Sequence, residues 1–334
     1  APLAVGRLRI RRYDYLVTGG AGFIGSHLCE ELLRRGHSVL VLDDLSTGDL
    51  ANLEGCVESE EFSYVIGSVL DESLVSEAVD LCGRVVHLAA AVGVRNIIDR
   101  PVETIEANVK GTENVLKAAD RKDRPTFVAS TSEVYGKSEA VPFREDGDIV
   151  LGATSRSRWS YACSKAVDEF LAQAYWKDKG LPVVVGRLFN TVGPRQSGRY
   201  GMVLPRFVSQ ALRGESITVY GDGRQTRCFS LVGEVVDCIL GLLHCEDAVG
   251  RVVNVGSTQE VTIMQLAETV RDLSGSDSEI VLVPYEEAYP TDFEDMRRRA
   301  PDVSLLHSLI DRAPEAGLEE IVEAVIGWAM QTAE

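Results

Sequence analysis

Short runs of β-branched and apolar residues alternate with amphipathic helical segments along the first half of the chain. The apolar runs predict strands at 14–18, 38–42, 63–66, 84–88, 126–130 and 182–187. Helical spacing of the apolar positions predicts helices at 23–35, 73–80, 101–119 and 161–178. Because helices connect parallel strands, the alternation predicts a parallel sheet covered on both faces. Ligands bind such sheets at the carboxyl ends of the strands.

The pattern becomes less regular after about residue 190. It predicts short strands near 217–219 and 252–255 and helices near 202–213, 231–243, 262–273 and 315–330. We therefore expect an α/β protein with a Rossmann-like, doubly wound parallel sheet in residues 13–190 and a smaller mixed α/β substrate lobe in residues 191–330. A segment near 228–255 is a candidate to return to the larger domain.

Composition narrows the class of protein. The net charge is −17, which argues against a broad nucleic-acid or acidic-membrane surface. No segment approaches the roughly 20 apolar residues of a membrane helix, and residues 1–12 lack the features of a signal peptide. The seven cysteines are odd in number and scattered, which favours a reducing cytoplasm. The histidines show no metal-ligand spacing, so no metal is expected.

A glycine-rich turn joins the first predicted strand to the first predicted helix. Gly19, Gly22 and Gly25 have the spacing GxxGxxG, which allows a tight turn and close approach of a pyrophosphate to the helix N-terminus. Asp43 ends the second predicted strand, where a carboxylate accepts ribose hydroxyls and repels a 2′-phosphate. Each feature alone is also compatible with an ordinary turn. Together they predict a dinucleotide site that favours NAD.

Tyr161 and Lys165 are four residues apart in a predicted helix and therefore share a face. An ammonium beside a phenol favours the phenolate, which is a base for a sugar hydroxyl. A YxxxK pair also occurs by chance on solvated helices. Its position behind a dinucleotide-binding half-domain favours the catalytic interpretation.

Four segments resemble the extended short-chain dehydrogenase/reductase family, which comprises NAD-dependent nucleotide-sugar epimerases, dehydratases and decarboxylases. They are TGGAGFIG (18–25), STSEVYG (130–136), YACSK (161–165) and RLFNTVGPRQ (187–196). The resemblance covers roughly residues 14–310. It implies that Thr131, Tyr161 and Lys165 form a catalytic triad that oxidises carbon 4 of the sugar with NAD.

The glycine turn and the resemblance together give two sets of binding residues. The candidate NAD-binding residues are Gly19, Gly22, Phe23, Ile24, Gly25, Asp43, Ser46, Gly48, Ser68, Leu88, Ala89, Ala90, Asn108, Ser130, Tyr161 and Lys165. The candidate substrate-binding residues are Ser132, Asn190, Thr191, Arg199, Val219, Arg227 and Arg299. The family commonly has Gly-Asp where this chain has Gly67-Ser68, so the family's charged contact to adenine is missing.

Two further segments narrow the reaction that the resemblance implies. Dehydratases of the family show Thr-Asp-Glu, whereas Thr131-Ser132-Glu133 is the form seen in UDP-glucuronate decarboxylases. The run RRRAPDVS (297–304) is also similar to those decarboxylases. Glu133 and Arg299 are then catalytic candidates for handling the carboxylate and reprotonating carbon 5. Glu133 as a structural anchor and Arg299 as a diphosphate clamp remain open alternatives.

Rival interpretations also remain open. A UDP-glucuronate or UDP-glucose 4-epimerase would use the same triad, and a non-catalytic dinucleotide-binding relative is a third hypothesis. Arg195 and Arg199 can meet the carboxylate or serve a surface loop. The resemblance also implies a homodimer formed through the helices at 101–119 and 161–178.

Overall fold

The computed structural model describes residues 11–92, 100–198, 202–284, 287, 296 and 298–332. A parallel sheet of seven strands lies at the centre of this described part. Its first six strands are β1 (Tyr13–Thr18), β2 (Val39–Asp43), β3 (Phe62–Ile66), β4 (Cys82–His87), β5 (Thr126–Thr131) and β6 (Val183–Leu188). The chain then forms β7 (Thr191–Val192), β8 (Ile217–Tyr220), β9 (Thr226–Cys228), β10 (Ser230–Leu231), β11 (Val252–Val255), β12 (Glu260–Thr262), β13 (Ile280–Val283) and β14 (Arg298–Arg299).

The strand order in the large sheet is β11-β6-β5-β4-β1-β2-β3. The chain proceeds from β1 to one edge and then returns to β4 on the other side of β1. A crevice therefore opens at the carboxyl ends of β1 and β4, where the order reverses. The residues that follow these two strands, Gly19 and Leu88, lie at this crevice.

Helices cover both faces of the sheet. They are α1 (Phe23–Arg34), α2 (Glu54–Val57), α3 (Glu72–Asp80), α4 (Pro101–Asp120), α5 (Arg158–Lys179), α6 (Val203–Leu212), α7 (Val232–His244), α8 (Ile263–Leu273), α9 (Ser304–Ile310) and α10 (Leu318–Gln331). On one face, Leu28 of α1 and Ile239 of α7 are fully buried in the same apolar cluster. On the other face, Val75 of α3 and Val115 of α4 are fully buried. Burial on both faces explains why the strands are almost continuously apolar.

The smaller lobe has its own core and mixed strand pairing. Strand β9 pairs antiparallel with β12 and parallel with β14, and β8 pairs parallel with β13. Helices α6, α8 and α10 pack together through fully buried side chains that include Phe207, Leu266 and Val322. The expected fold class, a Rossmann-like doubly wound sheet with a smaller mixed α/β lobe, is confirmed.

Two segments after residue 190 belong to the large domain: one is a strand of the large sheet, and the other is a helix that packs on it. Helix α7 packs on α1, and β11 pairs in parallel with β6 along Val252–Val255. The chain thus leaves the large sheet, contributes to the smaller lobe and returns. The division into domains at residue 190 remains a prediction.

The observed elements differ from the sequence-based expectations mainly at their ends. Helix α5 begins at Arg158, three residues before the predicted start. The strands β7, β9, β10, β12 and β14 were not predicted, because two or three residues cannot display a hydrophobic period. The four-residue strand β13 was not predicted either. None of the helices in the described part of the chain has the length and apolar character needed to cross a bilayer.

Candidate active site

A cavity of about 710 Å³ lies at the carboxyl edge of the large sheet, where the smaller lobe meets it. The glycine turn forms one end of the cavity. The end of β5 and the start of α5 form its middle, and residues of α6, β8 and β9 form the other end. An elongated cavity between two lobes is typical of a ligand site.

The glycine turn is packed so closely that side chains are excluded at two of its positions. Gly19 has a φ of +73°, and a Cβ there would lie 2.8 Å from the backbone nitrogen of Ala89. A Cβ on Gly25 would lie 2.2 Å from the carbonyl oxygen of Gly19. The N-terminus of α1, with Phe23 and Ile24, consequently faces the cavity at close range. This arrangement fits a pyrophosphate.

Asp43 is held rigidly beside the turn. Its Oδ2 accepts a hydrogen bond from the Ala21 backbone at 2.9 Å, and its Oδ1 accepts one from the Leu45 backbone at 2.8 Å. Burial raises the pKa of the Asp43 carboxyl, and these two hydrogen bonds oppose the shift. Each carboxylate oxygen retains acceptor capacity for a ribose hydroxyl. The residues of this end of the cavity therefore fit a dinucleotide.

Thr131, Tyr161 and Lys165 meet at the middle of the cavity. Thr131 ends β5, and its hydroxyl hydrogen-bonds the Tyr161 phenol. Tyr161 and Lys165 lie on the first two turns of α5. The Lys165 Nζ donates a hydrogen bond to Asp168 at 2.7 Å.

The ionisation of Tyr161 differs from the expectation of an acidified phenol. Burial raises the pKa of Tyr161 above its ordinary value, and the carboxylates of Glu133 and Asp168 raise it further. The hydrogen bond with Thr131 and the charge of Arg299 oppose this shift. The physical reason for the difference is that desolvation disfavours the phenolate and that Asp168 balances the charge of the lysine.

Glu133 and Arg299 face each other across the same part of the cavity. The Arg299 Nη2 lies 3.8 Å from the Glu133 Oε1, and the Arg299 Nη1 donates to the Asn190 Oδ1 at 3.4 Å. The two charged side chains are 9% and 21% exposed. A carboxylate of a bound substrate could therefore take the place of Glu133 beside the Arg299 guanidinium.

The structure brings most of the sequence-predicted residues to the cavity wall. The lining includes Gly19, Gly22, Phe23, Ile24, Gly25, Asp43, Ser46, Ser68, Leu88, Ala89, Ala90, Ser130, Thr131, Ser132, Glu133, Tyr161, Lys165, Asn190, Thr191, Arg227 and Arg299. The buried Ser132 Oγ has no hydrogen-bond partner among the described residues, so it is available to a ligand.

Four of the predicted residues are not seen on the wall. Val219 is fully buried in the core of the smaller lobe, because the alternation along β8 points it away from the cavity. Asn108 accepts a hydrogen bond from the Ala91 backbone at 2.8 Å and donates one to Ser164, which puts it behind the wall. Gly48 packs against Asp43. Arg199 lies outside the described residues.

Arg195 has a structural role, because its guanidinium contacts other parts of the protein. Its Nη2 pairs with the Glu30 Oε2 at 2.5 Å, and its Nη1 donates to the Asn52 carbonyl at 3.2 Å. His27 is hydrogen-bonded to the Pro194 carbonyl at 3.0 Å. These contacts attach the turn after β7 to α1 and direct the Arg195 guanidinium to Glu30.

Sequence reasoning missed several polar residues that line the cavity. Arg158 is buried and lies one helical turn before Tyr161. This three-residue spacing is visible in the sequence and could have indicated that both side chains share a helix face. Tyr220 lies one residue beyond the predicted strand, and the Arg206 guanidinium stacks 3.9 Å over its ring. Gln196 donates to the Thr191 carbonyl, and its Oε1 has no partner among the described residues.

The family model described as GDP-mannose 4,6 dehydratase matches residues 16–325. The chain belongs to this family, and the predicted membership of the extended short-chain dehydrogenases/reductases is confirmed.

The chain is 42% identical to a UDP-N-acetyl-alpha-D-glucosaminuronate decarboxylase of Bacillus cytotoxicus, over 94% of this chain and 96% of that protein. It is 36% identical to UDP-glucuronic acid decarboxylase 1 of Xenopus tropicalis, over 95% of this chain and 72% of that protein. Among solved structures, a UDP-glucuronic acid 4-epimerase from Bacillus cereus, in complex with UDP-glucuronic acid and NAD, is similar with a TM-score of 0.86. The two chains are 25% identical, and the match covers 96% of this chain and 99% of that one.

Proposed function

We propose that this chain is an NAD-dependent enzyme that oxidises carbon 4 of a UDP-uronate and releases its carboxylate as carbon dioxide. The main substrate that we propose is UDP-glucuronate, with a UDP-4-keto-pentose or UDP-xylose as the product. The observation that carries the proposal is the convergence of Thr131, Tyr161 and Lys165 with the Glu133–Arg299 pair on one cavity. The two decarboxylase relatives support it.

One end of the cavity would bind the cofactor, and the other end would bind the nucleotide-sugar. NAD, when bound, would accept the hydride from carbon 4. The glycine turn and Asp43 would hold this cofactor. The smaller lobe, with Arg227 and Tyr220, would hold the nucleotide-sugar. We accordingly propose residues 13–190 with the returning segment as the cofactor domain and the rest of 191–330 as the substrate lobe.

The chain's residues then account for the chemistry. The Tyr161 phenolate takes the proton of the 4-hydroxyl, while Thr131 fixes that hydroxyl by a hydrogen bond. The resulting 4-ketone makes the substrate a β-keto acid, so the electron pair of the breaking carbon–carboxylate bond enters the ketone as an enolate. Arg299 orients the carboxylate, and after carbon dioxide has left, Glu133 passes a proton from solvent to carbon 5. Release at this point would give the UDP-4-keto-pentose, whereas return of the hydride to carbon 4 and of the Tyr161 proton to its oxygen would give UDP-xylose. Arg158 is a second cation for the carboxylate.

A UDP-sugar 4-epimerase is the second candidate. The similarity to the Bacillus cereus 4-epimerase and to a UDP-glucose 4-epimerase from Thermotoga maritima, at 28% identity and a TM-score of 0.86, favours it. The Thermotoga match covers 96% of this chain and 100% of that one. An epimerase would use the same base but would return hydrogen to the other face of carbon 4.

Product analysis separates the two activities. The purified protein is incubated with NAD and one sugar at a time: UDP-glucuronate, UDP-N-acetylglucosaminuronate or UDP-glucose. The masses of the products are then measured by mass spectrometry. Loss of carbon dioxide from a uronate supports decarboxylation, whereas a new isomer of unchanged mass supports epimerisation. Comparison of the two uronates also identifies the preferred substituent on carbon 2. Absence of turnover with all three sugars would contradict both candidates.

We further propose a homodimer that pairs α4 and α5 with the same helices of a second copy. Exposed apolar side chains on these two mutually packed helices support the proposal. They are Val102 and Ile105 on α4 and Val167 and Phe170 on α5, and Phe170 is 71% exposed. Such a patch is expected to be covered in an assembly. A cytoplasmic location is also proposed, since all seven cysteines are free thiols.

A further inference from the structure

A buried ion pair lies directly beneath the candidate catalytic residues. The Lys165 Nζ lies 2.7 Å from the Asp168 Oδ2, and the two side chains are 3% and 0% exposed. Burying a charged pair costs desolvation energy, and a well-packed apolar pair is often as stable. Stability alone therefore does not explain why this pair is present. Asp168 is also not part of the YxxxK pattern, which contains only Tyr161 and Lys165.

A hydrogen-bonded chain also leads from the loop after β4 to Thr112 of α4, a residue near Asp168. The Ala89 backbone donates to the Thr18 Oγ1 at 3.3 Å, and Thr18 Oγ1 lies 2.7 Å from the His87 Nδ1. The His87 Nε2 lies 3.1 Å from the Thr112 Oγ1, and the nearby Thr112 hydroxyl lowers the pKa of the Asp168 carboxyl. The Asp168 Oδ1 itself has no hydrogen-bond partner among the described residues, so the Lys165 ammonium is the donor that the structure shows on this carboxylate.

The ring of His87 is neutral. Burial lowers the pKa of His87 to about 3, so the ring carries one proton. Each threonine hydroxyl can donate to the ring or accept from it, so Thr18 and Thr112 hold the ring whichever nitrogen carries that proton.

The charges around Asp168 and Tyr161 come from several elements. On α5, Lys165 faces Asp168, while Glu169 is neutralised by a bidentate contact with Arg187 at 2.7–3.2 Å. Burial raises the pKa of the Asp168 carboxyl, and the Lys165 ammonium and the Thr112 hydroxyl oppose the shift.

Around Tyr161, Glu133 on the turn after β5 opposes ionisation, as Asp168 does, and Arg299 of β14 favours it. Among the residues that the structure describes, Asp168 is thus the charge that both contacts Lys165 and acts on the Tyr161 phenol.

We propose that Asp168 is a positioning residue: its carboxylate fixes the Lys165 ammonium, balances its charge and thereby controls when the Tyr161 phenol gives up its proton. The inference rests on the proposed function in one respect, namely that Tyr161 is the base. A fixed lysine is available to a cofactor ribose without rearrangement. The balancing carboxylate keeps the phenol protonated until a further positive charge enters the cavity.

A titration of the phenol in the protein–NAD complex tests the proposal without any turnover. Phenolate absorbance in the ultraviolet is followed against pH, and the curve of the Tyr161→Phe variant is subtracted to isolate Tyr161. In Asp168→Asn the midpoint is expected to fall by about one pH unit, because a negative charge near the phenol is removed. Asp178→Asn, an exposed site on the same helix, is the matched control and should leave the midpoint unchanged.

A second charge-removing variant covers the case in which Asp168→Asn does not fold. Asp168→Ser leaves room for water beside Lys165 and should lower the midpoint in the same direction. A midpoint that stays at the wild-type value, or rises, in a folded variant would overturn the proposal, since a purely structural residue would change stability and leave the titration alone.

The same variants separate this inference from the proposed function. If a UDP-uronate is turned over, the acidic limb of the kcat profile should move with the titration midpoint. A shifted midpoint in a protein that turns over no nucleotide-sugar would refute the proposed function and support the role of Asp168.

Discussion

Replacement of Gly25 by alanine tests whether the glycine turn is shaped by packing. The added Cβ would stand 2.2 Å from the Gly19 carbonyl oxygen and 2.7 Å from the Gly20 Cα, whereas ordinary contact begins at 3.4 Å. Both obstacles are backbone atoms, and Gly19 has little room to move because a Cβ built on it would lie only 2.8 Å from the Ala89 backbone nitrogen. The turn must therefore open by about 1 Å, and overpacking of this kind costs about 1–3 kcal/mol.

The loss should appear in both stability and cofactor binding. Urea unfolding at 25 °C is expected to show Gly25→Ala destabilised by about 1–3 kcal/mol. Isothermal titration with NAD should show at least a tenfold loss of affinity, which corresponds to about 1.4 kcal/mol. The affinity falls because the displaced backbone no longer presents the N-terminus of α1 at the correct distance.

Two other glycines provide controls. A Cβ on Gly22 would meet the Gly19 carbonyl oxygen at 3.1 Å and no other described atom within 4 Å, so Gly22→Ala should weaken NAD binding with little loss of stability. A Cβ on Gly327, in α10, meets no described atom within 4 Å, and Gly327→Ala should stabilise the protein by about 0.5–1 kcal/mol. Wild-type stability and wild-type NAD affinity in Gly25→Ala would refute the packing argument.

Three further outcomes are expected. Tyr161→Phe should abolish turnover and leave the dissociation constant of NAD within about threefold, while Tyr175→Phe on the same helix should retain activity; a fully active Tyr161→Phe enzyme would exclude Tyr161 as the base. Burial lowers the pKa of His87 to about 3, whereas an unfolded histidine titrates near 6.5, so the unfolded state binds one more proton in between. The contribution of His87 to stability is therefore complete above pH 6.5 and is lost toward pH 3 by up to about 1.4 kcal/mol per pH unit. Urea unfolding at several pH values should show a shallower dependence in His87→Gln, and equal slopes in both proteins would contradict the argument. Phe170→Glu should halve the mass measured by light scattering if α4 and α5 form the dimer contact, and Glu323→Gln on α10 serves as its control.

Local signals in the sequence were sufficient for the cofactor half of the site. Gly19, Gly22, Gly25 and Asp43 stand at the ends of consecutive strand and helix patterns, so their positions can be recognised from the neighbouring residues. Tyr161 and Lys165 were found for a similar reason, because a spacing of four residues places both on one helix face. The family resemblance added Thr131 and the Glu133–Arg299 pair, which no local rule connects.

The tertiary structure decided what depends on contacts between distant segments. The return of β11 to the large sheet, the pairing of Arg195 with Glu30 and the burial of Val219 away from the cavity each require partners far along the chain. The same holds for the hydrogen-bonded chain from Thr18 through His87 to Thr112, which joins residues on three elements.

The sequence by itself thus determined the alternating α/β order, the glycine turn and the residues that one helix presents together. These properties follow from backbone geometry within a few residues. The protonation of Tyr161 was beyond it, because burial and the charges of Glu133, Asp168 and Arg299 act through space, and only the folded chain fixes those distances.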